Sequence, residues 1–183
     1  MSASLLLGLL IAALGVAVIW IFNRLVRDRN QVAAAWSDID VQLQKRHDLI
    51  PPLVEIVRGY ATHERELLER VTAERTQSRN AHKVGSKGEI ERALGNDVGR
   101  LIALAEAYPD LKASENFAQL NNELVKVEDH LQYARRFYNG SVRQFNDRIQ
   151  VFPHVLVARG FGFREAEFFD APDSAASAPQ VKL

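Results

Sequence analysis

Nothing constrains the fold of this chain as much as the run from Leu5 to Phe22, which carries no charged or strongly polar side chain. Its length approaches the roughly 20 residues that cross a hydrocarbon core of about 30 Å as a helix. An amphipathic core helix would show polar residues at every third or fourth position, and this run shows none. A cleaved secretory signal would want a basic start and small residues spaced A-x-A at its end. Here Met1-Ser2-Ala3-Ser4 has no Lys or Arg, and the run closes on Trp20-Ile21-Phe22. Without a cysteine there is nothing to acylate, which excludes a lipoprotein. Residues 1–23 therefore read as an uncleaved transmembrane signal anchor that makes a single pass.

The flanks predict orientation. Arg24, Arg27 and Arg29 follow the run and no Lys or Arg precedes it, so the positive-inside rule places the C-terminal domain in the cytoplasm. Within the span, Gly8, Ala12 and Gly15 share one helical face. That spacing lets two such helices approach closely, so the chain itself is one expected partner and the lipid bilayer another; an Ala/Gly-rich span also meets the spacing by chance. Lys and Arg number 23 against 23 Asp and Glu, and the absence of a concentrated positive field excludes a dedicated nucleic-acid binder.

Beyond Asn23 the apolar period is helical. Leu25, Val32, Trp36, Ile39, Leu43 and Ile50 step by sevens, fours and threes, which predicts a helix continuing the span without a break. Pro51 disfavours α geometry at Ile50, so this helix is expected to stop there and Pro51-Pro52 to open a second one. The second helix carries Leu53, Val57, Tyr60, Leu67 and Val71 to about Ala81, and Lys83 to Gly88 has turn composition. A third helix is expected from about Glu89 to Tyr108 on Ile90, Leu94, Leu101 and Leu104, ended by Pro109-Asp110. The fourth, capped at Ser114 or Asn116, keeps a three-four step from Phe117 through Leu131 and Phe145 to Phe152, with Pro153 as its stop. Short connections make sequential neighbours antiparallel. The expected fold class is all-α: an N-terminal transmembrane helix continuing into an antiparallel up-down-up-down four-helix bundle. The division is 1–23 anchor, 24–153 bundle, 154–170 aromatic-rich segment and 171–183 disordered tail.

Catalytic templates fail on residue identity. A di-iron bundle needs Glu-x-x-His, but Gln44, Tyr60, Arg79, Val127 and Val151 stand three before the five histidines. His63-Glu64 opens like a zinc-protease motif, yet Leu67 occupies the place of the second histidine. No phosphate-cradling glycine loop or nucleophile elbow occurs, so neither a catalytic, a cofactor-binding nor a metal residue is assigned. Trp36, Asp38, Asp40, Arg46, Asp48, Glu128, Arg135, Arg136 and Asn139 do mix polarity into helices that should face one another. They fit an interhelical network that fixes register, or a partner-binding surface. Phe161, Phe163, Phe168 and Phe169, flanked by Arg159 and Arg164, fit either a membrane surface or packing on the bundle base.

The chain resembles the LemA proteins of bacterial membranes. The matching stretches are 23–30 (NRLVRDRN), 35–54 (AWSDIDVQLQKRHDLIPPLV), Gly59-Tyr60-Ala61 with His63-Glu64, 104–113 (LAEAYPDLKA) with Asn116-Phe117, 134–139 (ARRFYN), Phe152-Pro153, and the end from Gly162-Phe163 to Phe169. Pro52 and Val127 depart from the family pattern. The resemblance implies a single N-terminal span in the bacterial cytoplasmic (inner) membrane and an antiparallel helical bundle, and no catalytic residue or cofactor. The expected function is a non-enzymatic, self-associating membrane scaffold or adaptor. The alternative is a sensor binding a small molecule or peptide between helices near Trp36, Tyr60 and Tyr138.

Overall fold

The computed structural model describes residues 3–61 and 63–169, in which every element is a helix. The expected tail over 171–183 lies outside the described residues. Six helices follow one another: α1 (Ala3–Arg58), α2 (Arg65–Asn80), α3 (Val84–Glu106), α4 (Pro109–Lys112), α5 (Glu115–Gln150) and α6 (His154–Gly160). The all-α class holds, and the apolar run and the first core helix are one helix of 56 residues.

Two boundaries correct the sequence reading. The first helix does not stop at Ile50: α1 passes through Pro51 and Pro52 to Arg58. Pro51 cannot donate to the carbonyl of His47, a loss that normally breaks a helix. That carbonyl instead accepts a bond from Arg75 Nε on α2 at 2.6 Å. Leu53, Val54 and Val57 beyond the prolines are buried, so tertiary packing holds the turn that local propensity disfavours. The break falls instead in the segment between Arg58 and Arg65. Similarly, Val84 to Gly88 is helix and not loop, with Lys83 at its N-cap. The Lys87 amide donates to the Lys83 carbonyl at 2.9 Å, the Lys87 ammonium pairs with Asp40 on α1, and Gly88 is buried. Contacts made by the flanking side chains outweigh the glycines. Past Pro153, a further short helix, α6, stands where the sequence suggested only an aromatic segment.

The chain divides into two compact units, each discontinuous in sequence. Among the described residues, the first joins Ala3–Ser37 with Phe137–Ala166, and the second joins Asp38–Arg136 with Glu167–Phe169. In the first unit, Trp20 stands near His154 and Trp36 near Tyr138, with ring centroids 6.5 and 5.5 Å apart. Equal steps along the two strings of residues, in opposite directions, make α1 antiparallel to α5 and α6 there. Ile21, Leu25, Val32 and Ala35 are buried on α1, and Tyr138, Val142, Phe145, Ile149, Val157 and Ala158 on the returning chain. Asn146 then clamps the segment after α6. Its side-chain amide donates to the Ala166 carbonyl at 3.0 Å, and its oxygen accepts from the Ala166 amide at 2.8 Å.

The second unit closes around one aliphatic core. Ile50, Leu53 and Val57 of α1 meet Leu67, Leu68 and Val71 of α2, Leu94, Val98 and Leu101 of α3, Leu111 of α4, and Phe117, Leu120 and Leu124 of α5. Each such side chain contributes about 1.5–3 kcal/mol on full burial.

Candidate functional site

The buried stripe of α1 in the second unit is Ile39, Leu43, Arg46, Ile50, Leu53 and Val57, a three-four step in which Arg46 takes an apolar place. The α3 stripe is Glu91, Leu94, Val98, Leu101 and Ala105, and here the first place is a carboxylate. Helical periodicity thus drives two opposite charges into the same interior. Glu91 is fully buried and Arg46 is 3% exposed. Arg46 Nη1 lies 3.3 Å from Glu91 Oε2 and His47 Nε2 lies 2.6 Å from Oε1. Ser78 on α2 donates to that same Oε1. On the other side, Glu128 of α5 approaches Arg46 Nη1 at 3.7 Å. Gly95, one turn after Glu91, leaves the room that the Arg46 guanidinium occupies, since a Cβ there would overlap its terminal nitrogen. Three helices meet at one carboxylate, and α5 joins them through Arg46.

Burial alone pushes the Glu91 carboxyl up. Hydrogen bonds from His47 and Ser78, with the charges of His47 and Arg46, outweigh it and hold the group below the usual carboxylate value. The cluster contains Ser, His and Glu but is not wired as a nucleophilic triad. There the imidazole bridges hydroxyl and carboxylate. Here hydroxyl and imidazole both bond the same carboxylate oxygen, and the carboxylate is sealed from solvent. The arrangement ties helices together and leaves no activated nucleophile in the cluster. Among the described residues no three of His, Cys, Asp and Glu gather as a metal site.

A second polar node joins α2 to α3. Arg70 Nε donates to Asp97 Oδ2 at 2.9 Å and Arg100 Nη1 to Oδ1 at 3.0 Å. Beside it burial, followed by the Asp97 charge, pushes the Glu74 carboxyl up. Between α3 and α5 lies a cavity of about 360 Å³, walled by Gly95, Gly99, Val98, Ile102, Leu124 and Val125, with Arg46, Glu91, Glu128 and Arg135 at its polar end.

The residues singled out from sequence separate into distinct settings. Arg46 and Glu128 belong to the buried cluster, and Asp40 pairs with Lys87 at 2.9 Å. Arg135 lies over the Phe169 ring and Arg136 over that of Tyr133, at 5.4 and 4.8 Å. Asp38 is exposed on α1, and Asp48 accepts from Gln44 on the same helix. In the first unit Trp36 packs edge-on to Tyr138, and Asn139 is half-buried beside it in sequence. Tyr60 is exposed, and the cavity is lined by none of Trp36, Tyr60 and Tyr138. The four phenylalanines of the aromatic segment fall into different settings. Phe169 is fully buried beneath Arg135, Phe163 packs on Phe22 and Phe145 with Arg29 over its ring, and Phe168 is half-buried. Phe161 is exposed.

Sequence reasoning missed Ser78, Glu91, Asp97 and the first unit's buried Asp28, which pairs with Arg148 and Arg24. A signal existed for part of this. The two steps of seven in the α1 stripe, Leu25 to Val32 and Leu43 to Ile50, each skip a stripe position, and those positions hold Asp28 and Arg46.

The chain is 26% identical to magnetosome protein MamQ 2 of Paramagnetospirillum magneticum, over 87% of this chain and 70% of that protein. It is 25% identical to magnetosome protein MamQ of Magnetospirillum gryphiswaldense, over the same shares. It is 29% identical to protein LemA of Metamycoplasma hominis, over 82% of this chain and 69% of that one. Residues 35–183, from the buried stripe of α1 onward, match the LemA family, and the chain belongs to it.

Proposed function

We propose that this LemA-family chain is a non-enzymatic scaffold or adaptor, anchored by α1 in the bacterial cytoplasmic membrane with the residues after the span in the cytoplasm. The observation that carries this reading is the closed wiring of the buried cluster. Arg46, His47, Ser78 and Glu91, the side chains best equipped for chemistry, are spent on joining helices. The apolar run of α1 is exposed from Leu5 to Trp20 except at half-buried Val18 and fits a bilayer. Gly8 and Gly15 have open space where a Cβ would project, which suits close approach of a second span. Extraction in a mild detergent followed by size analysis tests the reading: the native chain should run as discrete high-mass species, and Gly8→Leu with Gly15→Leu should shift them toward monomer. A monomeric native chain would refute self-association. Orientation is tested by a reporter fused after Leu183, expected to behave as cytoplasmic.

The cavity between α3 and α5 supports a second reading, a sensor for a small ligand, relocated from Trp36, Tyr60 and Tyr138 to Arg46, Gly95 and Val125. A ligand screen read by thermal shift separates the two. A hit abolished by Val125→Trp, which fills the cavity, would favour the sensor.

A further inference from the structure

Apart from the apolar run itself and Phe137, the exposed large apolar side chains of the first unit all lie between residues 151 and 161. They are Val151, Phe152, Leu156 and Phe161, with Phe152 79% and Phe161 59% exposed. Solvated singly, such residues need no explanation, but four within eleven positions around one short helix do. α6 is two-faced: Val157 and Ala158 are buried toward the first unit's interior while Leu156 projects outward.

The position of this patch along α1 identifies what covers it. Phe161 packs on Phe22 with centroids 4.8 Å apart, and His154 lies beside Trp20. Trp20 and Phe22 end the apolar run, and Arg24 begins the charged one. The patch therefore sits at the level where the span leaves the hydrocarbon, the depth at which amphipathic aromatic rings concentrate in membrane proteins. Its surroundings are basic. The first unit holds seven arginines (24, 27, 29, 143, 148, 159 and 164) against Asp28, Asp147 and Glu165, although the whole chain is neutral. Arg159 and Arg164, both exposed, flank Phe161 within the returning chain.

We infer that Val151, Phe152, Leu156 and Phe161 form a collar around the base of the span that sinks into the headgroup–acyl boundary of the bilayer, with the flanking arginines at the phosphates. The inference rests on α1 being a span. Continuity with the apolar run commits the patch to lipid: a helix entering the membrane beside Trp20 brings the bilayer surface to everything packed at that level. The collar fixes how deep the first unit sits and resists pistoning of α1, since raising the span would bring four more apolar side chains into water.

The absence of native cysteine makes the test clean. Single substitutions Phe152→Cys, Leu156→Cys, Leu10→Cys and Phe137→Cys all fall at exposed positions. The full chain, reconstituted in phosphatidylethanolamine/phosphatidylglycerol vesicles, is labelled with a nitroxide, and collisions with oxygen and a water-soluble nickel chelate are measured. Position 137 lies about 20 Å by helical rise from the end of α5 at Gln150, two residues before 152, and so beyond any headgroup layer. Labels at 152 and 156 should lose nickel accessibility and keep oxygen accessibility, as at 10, while 137 stays open to nickel. Nickel access at 152 and 156 equal to that at 137, with 10 shielded, overturns the collar and leaves the span standing. Nickel access at 10 as well overturns both. Loss of both collision agents at 152 and 156 would mean that protein, such as a second copy, covers the patch, which also overturns the assignment to lipid.

Discussion

The two units hold their helices together by different means. In the first, α1 is fastened to the returning chain mainly through rings, Trp36 on Tyr138 and Phe22 and Phe145 on Phe163, with the Asn146 clamp and one buried ion pair, Asp28 with Arg148. In the second, an aliphatic core is pinned by a buried carboxylate shared among Arg46, His47 and Ser78. Ring contacts are individually modest and tolerate adjustment. A buried ionic cluster is favourable only when every member is satisfied, and removal of one member strands the others. The second unit should therefore fail abruptly where the first fails by degrees.

The largest expected effect follows from Glu91→Leu. It strands Arg46 and His47 in the interior and should destabilise the second unit by about 3–5 kcal/mol, a large part of a typical total of about 5–15 kcal/mol. Hydrogen exchange on the full chain in detergent should show faster exchange in 64–136 while Phe137–Ala166 stays protected; uniform loss would erase the distinction between units. Combining Arg46→Met, His47→Leu and Glu91→Leu should recover much of the loss, because the stranded charges go with their partner. Acid should mimic the single substitution. Since the folded Glu91 carboxyl lies below its unfolded value, its contribution is present above the unfolded value and lost as pH falls through the lower folded one. Protection in the second unit should drop in that acid window, and Glu91→Gln should flatten the dependence.

How far the sequence revealed these units depends on whether local and tertiary forces agree. α5 was legible because period and composition both point to one helix from Glu115 to Gln150, with Gly140 as the one weak point. The junction at Pro51 was not, because its repair, Arg75 on the His47 carbonyl, comes from a residue that nothing local marks. Lys87 likewise holds the start of α3 through Asp40, 47 positions away. Glu91 lay hidden for a related reason. A glutamate beside Ile90 reads as the solvated neighbour of an apolar stripe, and only the true stripe of Leu94, Val98 and Leu101 shows that it points inward. Arg46 was legible as a polar residue near a stripe; that it met Glu91 was not.

A smaller effect belongs to the clamp. Asn146→Ala removes two hydrogen bonds to Ala166, each of net worth about 0.5–1.5 kcal/mol, and should loosen the segment after α6 by roughly 1–3 kcal/mol. The readout is exchange of the amides of Phe163 and Ala166, which should accelerate while α2 and α3 are unchanged. Spread of the effect into the second unit would show the two to be one cooperative block.

The smallest effect sharpens the comparison most. Trp36 and Tyr138 meet edge to face, a geometry in which the positive rim of one ring addresses the negative face of the other. Truncation of either ring alone mixes that interaction with lost burial, since Tyr138 is buried and Trp36 half-buried. A double-mutant cycle with Trp36→Leu and Tyr138→Leu removes the burial terms and isolates the pair, which should couple by about 0.5–1.5 kcal/mol. The corresponding cycle with Arg46→Met and Glu91→Leu should give a larger coupling, because each single change there leaves a buried charge without its partner. Equal couplings would mean that rings and charges bind these helices with the same strictness, and the contrast between the units would fall.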